Sequence, residues 1–375
     1  MTGSTDKLAS LPRVVAVGGL VGDDSAEDEI STTAVEVLDL STMKWDASAG
    51  VPHLPHVREW YSTCSSSDGR IIVCGGYDEA PKRAEPLRRR SAVEWLPGTH
   101  TWSQLPDLPE GRTSAAIVSL LDGRTLLIGG VDSSLEKEDW ALASVLALSV
   151  DRTSWTALSP MAECRDAAAA ALLPDGKVIV VGGQTGESAD TCLRTAECWD
   201  PTTENWSPLP PMAHTRKDAS VCVLPSGRLA VVGGATTTVE VYDPARGVWE
   251  LLTAMPRPCS NPLASVSTHA VPTTTGLPGM PLTDCLCVQV PGGLLVVSCM
   301  TEDVPGTNVL GQLYDEASGK WFELPHGMVR STLDLDLIDK HFSPLFPSLD
   351  SLQEHPGGLR PTFQPSAALV LSTQL

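Results

Sequence analysis

The chain has 375 residues and a formal net charge of −20, from 26 Lys and Arg against 46 Asp and Glu. That excess of carboxylates argues against binding a phosphate backbone, which needs a basic face, so nucleic acid is not an expected partner. No apolar stretch approaches the roughly 18 residues that a membrane-crossing helix needs, so no membrane segment is expected. The N-terminal "MTGSTDKLAS" has no hydrophobic signal core, which predicts a cytoplasmic or nuclear protein.

Residues 10–19, "SLPRVVAVGG", open a series of related strings: "SDGRIIVCGG" (67–76), "LDGRTLLIGG" (121–130), "PDGKVIVVGG" (174–183), "PSGRLAVVGG" (225–234) and "VPGGLLVVSC" (290–299). Their glycine pairs begin at 18, 75, 129, 182 and 233, with Ser298 in the sixth slot, so the steps are 57, 54, 53, 51 and 65. A period near fifty marks a repeat architecture. Asp-Gly between apolar runs predicts a hairpin with a type I′ turn, in which both central residues take φ > 0. The glycines that close the second strand predict close approach of a neighbouring unit or an aromatic ring. Downstream come "VEVLDL" (35–40), "AECWDP" (196–201), "VEVYDP" (239–244) and "QLYDE" (312–316). A tryptophan follows in every copy: Trp45, Trp102, Trp155, Trp206, Trp249 and Trp321.

Glycine pair, acid-ended strand and tryptophan in that order resemble the kelch repeat, and the resemblance covers nearly the whole chain. It implies an all-β fold, a six-bladed β-propeller of kelch repeats with four short strands per blade. The boundaries are then 11–57 plus 364–375 for blade one, 58–111, 112–164, 165–215, 216–257 and 284–330, with insertions at 258–283 and 331–359. Copy one has too short a lead to supply its own first strand. The tail "QPSAALVLS" (364–372) aligns with "RTSAAIVSL" (112–120), so it is expected to complete blade one and close the ring.

Antiparallel order puts the uniform Asp-Gly turns on one face and the long, dissimilar loops on the other, where binding is expected. Arg58, Arg112, Arg165 and Arg216 each stand 17 residues before a glycine pair, where the first strand leaves the variable face. In kelch domains of ubiquitin-ligase adaptors, arginines at this place help bind acidic peptides, so the resemblance makes these four the candidate ligand-binding residues. A framework role, bonding connector carbonyls or acidic neighbours such as Glu59 and Asp166, stands beside that reading. Pro281 and Gln364 occupy the matching positions of blades six and one. The basic loop Lys82, Arg83, Arg88, Arg89 and Arg90 and the acidic run Asp23, Asp24, Glu27, Asp28 and Glu29 read first as solvated loop tips.

The ten cysteines are scattered without a CxxC and read as buried small hydrophobes; the eight histidines, His53 and His56 included, show no ligand spacing. No metal, cofactor or catalytic constellation is therefore expected. The expected function is a non-catalytic scaffold that binds a protein or acidic peptide on its variable face, as part of a larger assembly. The alternative is an enzyme similar to kelch-type sugar mutarotases, which would place Arg112 or Arg165 beside a carboxylate of perturbed pKa in an open pocket.

Overall fold

The computed structural model of the protein describes residues 13–22, 30–39, 44–46, 50–78, 87–88, 90–132, 141–186, 188–234, 236, 238–253, 285–290, 292–299, 309–323, 362–364 and 368–371. The expected insertions at 258–283 and 331–359 lie outside the described residues, as do Pro281, Lys82, Arg83, Arg89 and the acidic run at 23–29.

All described strands pair antiparallel, in successive sheets. Sheet one holds β1 (Arg13–Gly22), β2 (Ile30–Asp39) and β3 (Lys44–Asp46). Sheet two begins with β4 (Ser62–Ser65) and β5 (Ile71–Cys74), and a two-stranded ribbon, β6 (Tyr77–Asp78) with β7 (Leu87–Arg88), interrupts it. It resumes with β8 (Ala92–Trp95) and β9 (Trp102–Leu105). Sheet three is β10 (Ala116–Ser119), β11 (Thr125–Ile128), β12 (Val145–Leu148) and β13 (Trp155–Leu158). Sheet four is β14 (Ala169–Leu172), β15 (Val178–Val181), β16 (Ala196–Asp200) and β17 (Asn205–Leu209). Sheet five is β18 (Ala219–Val223), β19 (Leu229–Gly233), β20 (Val239–Asp243) and β21 (Val248–Leu251). Sheet six is β22 (Cys285–Val290), β23 (Gly293–Cys299), β24 (Val309–Asp315) and β25 (Lys320–Glu323). The C-terminal strands β26 (Thr362–Gln364) and β27 (Ala368–Leu371) both return to β1, pairing with Leu20–Gly22 and Arg13–Ala16.

The first strands β27, β4, β10, β14, β18 and β22 lie side by side in that order. The second strands IIVC, TLLI, VIVV and LAVVG are buried along their whole length, as continuous apolar runs should be. Each buried cluster draws on two successive sheets: Val15 and Val35 pack with Ile71 and Val93, and Leu126 and Val145 with Val178 and Trp199. The apolar interior is therefore a series of inter-sheet seams.

One local expectation is corrected and another is narrowed. In the first hairpins only the glycine takes φ > 0, at Gly69, Gly123, Gly176 and Gly227. The N–H of that glycine donates three residues back, Gly176 to Leu173 at 2.9 Å, and Leu173 N–H donates to Lys177 O at 2.8 Å. This is a type I turn followed by a left-handed glycine, not type I′; Asp-Gly serves either, and the three-residue loop selects the former. At the glycine pairs the first of the two expected neighbours, the adjacent unit, is the one found. A Cβ on Gly75, Gly129 or Gly182 would lie 2.2–2.3 Å from the carbonyl oxygen of Arg112, Arg165 or Arg216 in the next sheet. Backbone, not an aromatic ring, fills that space.

Candidate functional site

Arg58, Arg112, Arg165 and Arg216 precede β4, β10, β14 and β18, and they are only 0–1 % exposed. In each, Nη1 donates to the first-glycine carbonyl: Gly75 at 2.9 Å, Gly129 at 3.2 Å, Gly182 at 2.8 Å and Gly233 at 2.6 Å. The same nitrogen donates to the carbonyl of the residue just before the third strand, Ser91, Ser144, Thr195 or Thr238. Nη2 reaches that residue's hydroxyl at 2.8–3.0 Å. The arginine's own carbonyl serves the preceding sheet, accepting from Gly76, Gly130 or Gly183 N–H at 2.7–2.9 Å in the cases of Arg112, Arg165 and Arg216. One residue thus ties the glycine pairs of two sheets, and the planar fork suits this repeated carbonyl geometry.

The expectation that these four side chains read an acidic ligand meets a physical obstacle, since their guanidinium groups face carbonyls and hydroxyls inside the protein. For three of them the acidic partners differ from the sequence neighbours Glu59 and Asp166. Arg112 pairs with Glu110, Arg165 with Glu163 at 2.8 Å and Glu197 at 3.1 Å, and Arg216 with Glu240 at 2.9 Å. Glu197 and Glu240 sit on the third strands and also accept the N–H of Ala162 at 2.8 Å and Ala213 at 2.6 Å. Burial alone would raise the Glu240 carboxyl, but the Ala213 N–H and the Arg216 guanidinium hold it below the ordinary value. Sequence reading missed the hydroxyls and these carboxylates. One signal was present: where the arginine register fails, in sheets one and six, the strand-pairing register puts Ala34 or Leu310 at the position that holds Ser or Thr elsewhere.

Two residues beyond each arginine the chain enters the left-handed region without glycine, at Trp60 (φ 58°), Ser114 (51°), Ala167 (52°) and Asp218 (54°). This conformation lets Ser114 N–H donate to Trp60 O at 2.8 Å, Ala167 to Ser114 at 3.1 Å and Asp218 to Ala167 at 2.9 Å. A chain of peptide groups therefore crosses four sheets on their inner edge, holding unfavourable backbone angles in place.

Beside it, at the junction of sheets four and five, lies a polar chain. Lys217 Nζ donates to Gln184 Oε1 at 3.2 Å, and Gln184 Nε2 donates to Asp166 Oδ2 at 3.0 Å. Asp166 is 2 % exposed and its Oδ1 has no hydrogen-bond partner among the described residues. Burial pushes its carboxyl up to about 7, opposed by the Gln184 bond and Lys217 and reinforced by Asp218. A perturbed carboxylate does stand next to Arg165 in sequence, but that arginine turns to Gly182, Thr195 and Glu197, so the mutarotase-like pairing is not assembled. Among the described residues no three His, Cys, Asp or Glu side chains group as a metal site would require, and no helix is long and apolar enough to cross a membrane.

Successive antiparallel sheets joined by a repeated Arg–Gly-Gly contact define a kelch-repeat protein, consistent with a β-propeller. Residues 9–234, more than half of the chain, match the KLHDC2/KLHL20/DRC7 Kelch-repeats domain model, and the chain belongs to that family. Kelch-like protein 35 of Mus musculus is 26 % identical over 211 residues, which are 56 % of this chain and 33 % of the relative. Kelch-like protein 34 of Homo sapiens is 26 % identical over 235 residues, 60 % of this chain and 35 % of the relative. The Influenza virus NS1A-binding protein homolog of Mus musculus is 44 % identical over 78 residues, 21 % of this chain and 11 % of the relative. The chain thus spans about a third of the length of the first two.

Proposed function

We propose that the protein is a non-catalytic interaction module, a six-bladed propeller closed by its C-terminal strand, that holds a protein partner on the face bearing the long loops. It works in the cytosol or nucleus and presents the partner to a larger assembly. The observation that carries this reading is the contrast between the two faces. The first-hairpin turns repeat one hydrogen-bond pattern from sheet to sheet. The opposite face carries loops of unlike build, such as the β6–β7 ribbon in sheet two and the Gln184–Cys192 bridge with its short helical turn in sheet four. Uniform turns suit a framework, and dissimilar loops on a rigid scaffold suit recognition. The name of one relative, an NS1A-binding protein homolog, refers to the binding of another protein and agrees with this class of function. Because the four arginines serve the framework, an acidic motif would be met by loop side chains and not by a collar of guanidinium groups.

The test replaces residues 78–87 by a short turn and, separately, the exposed Leu121 and Val150 of the uniform face by serine. Partners retained by each variant from native cells are then quantified by mass spectrometry. A loss of about tenfold or more confined to the first variant is expected. Loss confined to the second would move the site to the other face and overturn the reading.

A further inference from the structure

The polar chain between sheets four and five is not needed for the repeat. The position of Asp166 is held by Glu59 in sheet two, Thr113 in sheet three and Lys217 in sheet five, so no blade requires a carboxylate there. A carboxylate oxygen left unbonded in the interior is costly, and such groups persist where a ligand completes them. Asp166 itself is 2 % exposed; Lys217 and Asp218, which act on it electrostatically, are both half-buried, so a ligand meets those two side chains first and reaches the Asp166 carboxyl as they shift.

Resting on the proposed function, we propose that Asp166 and Asp218, with Gln184 as the orienting amide, form a subsite on the variable face for a basic side chain, lysine or arginine, of the bound partner. The bonding order supports a cation. Gln184 takes the Lys217 ammonium on its oxygen and turns its N–H to Asp166 Oδ2, which leaves Oδ1 as the free acceptor. An incoming ammonium or guanidinium would satisfy Oδ1 and relieve the repulsion between Asp166 and Asp218. A carboxylate or phosphate would add a third negative charge. The groups that act on Asp166 are Gln184 beside it in sheet four, the backbone N–H of Ala167, and Lys217 and Asp218 from the strand lead of sheet five.

The probe is a fluorescent acetyl-Gly-Arg-Gly amide, with the Glu counterpart as control, titrated into the full chain by anisotropy at pH 8. The arginine peptide should bind, the glutamate peptide should not, and Asp166→Asn should weaken the arginine peptide by about tenfold or more while leaving the melting temperature unchanged or higher. Asp218→Asn should weaken it as well. Equal binding of both peptides, unchanged affinity in Asp166→Asn, or a lowered melting temperature in that variant would each overturn the proposal. A chain that captures partners through the ribbon face but ignores the arginine peptide refutes this subsite alone. One that binds the peptide but loses no partner when the ribbon is replaced refutes the proposed function alone.

Discussion

Four connectors enter the arginine joint through the same buried apolar position, Leu54, Leu108, Met161 or Met212, and differ in the next residue. Pro55 and Pro109 have no N–H to satisfy, and the matching third-strand residues are Val93 and Leu146; Ala162 and Ala213 have one, and the matching residues are Glu197 and Glu240. The carboxylate is present where the connector offers an N–H donor and absent where proline removes it. Glu197→Val should therefore cost roughly 1.5–3 kcal/mol in denaturant unfolding, because Arg165 keeps Glu163 but loses its second carboxylate and the Ala162 N–H loses its acceptor. Adding Ala162→Pro should recover part of it, giving a coupling of about 1 kcal/mol; strict additivity of the two changes would refute the pairing. The arginine and glycine registers were legible because one strand, one turn and one strand of fixed length separate them. The hydroxyls were not, since they follow the arginine by 33, 32, 30 and 22 residues across loops of unequal length. Asp166 makes a further prediction at this scale. A carboxyl raised from 3.8 to about 7 holds its proton more tightly in the folded state, so stability is full below pH 4 and falls as pH rises toward 7. The deficit above that is on the order of 4 kcal/mol at most. Asp166→Asn should thus gain melting temperature over the native chain at pH 8 but not at pH 4, and a constant difference across that range would count against the buried acid.

Fourth strands lie outermost, and their tryptophans reach back to the preceding sheet. Indole Nε1 donates from Trp102 to Pro52 O at 2.9 Å, Trp155 to Pro106 at 2.9 Å, Trp206 to Ser159 at 3.0 Å, Trp249 to Pro210 at 2.7 Å and Trp321 to Thr253 at 2.9 Å. The periodic tryptophan was plain in the sequence, but its purpose was not, because the acceptor is a carbonyl with no side-chain signature. Sheets are therefore fastened twice, by arginine on the inside and by indole on the rim. Each Trp→Phe change keeps most of the apolar area and removes one bond, so it should cost about 1 kcal/mol. Trp155, Trp206 and Trp249 serve different seams, and the triple Phe variant should lose roughly 3 kcal/mol in urea unfolding, as independent sites do. A much smaller total would mean that water replaces the carbonyl without cost. The turn was misread for an equally local reason, since Asp-Gly fits two loop lengths and only the Leu173–Lys177 bond decides between them.

At the scale of the whole molecule, the seams order the sheets but do not by themselves join the last to the first. The C-terminal residues return to the first sheet, as the proposed closure requires. Arg13, Val14, Val15 and Ala16 pair with Leu371, Val370, Leu369 and Ala368, in the position that β10 and β14 hold in their own sheets. β1 differs from other second strands by running on through Gly18 and Gly19 with a shift in register after Val17, and its far end takes Thr362–Gln364. Val15 and Val17 are fully buried members of the seam between sheets one and two. Deleting residues 362–375 would open that strand to solvent, and each valine exposed costs roughly 1.5–3 kcal/mol. It would also leave an unpaired edge next to sheet two, where β27 lies against β4. For a domain of this size 1 kcal/mol moves the midpoint by about 2–4 °C, so the truncated chain should melt several degrees lower and aggregate sooner. The proposed ring closure predicts more than a local loss. Hydrogen exchange should quicken in sheets one, two and six together, whereas an open arc of sheets would confine the change to sheets one and two. Faster exchange limited to those two, or a midpoint within about a degree of the intact chain, would mean that the C-terminal strand caps an edge without closing a ring.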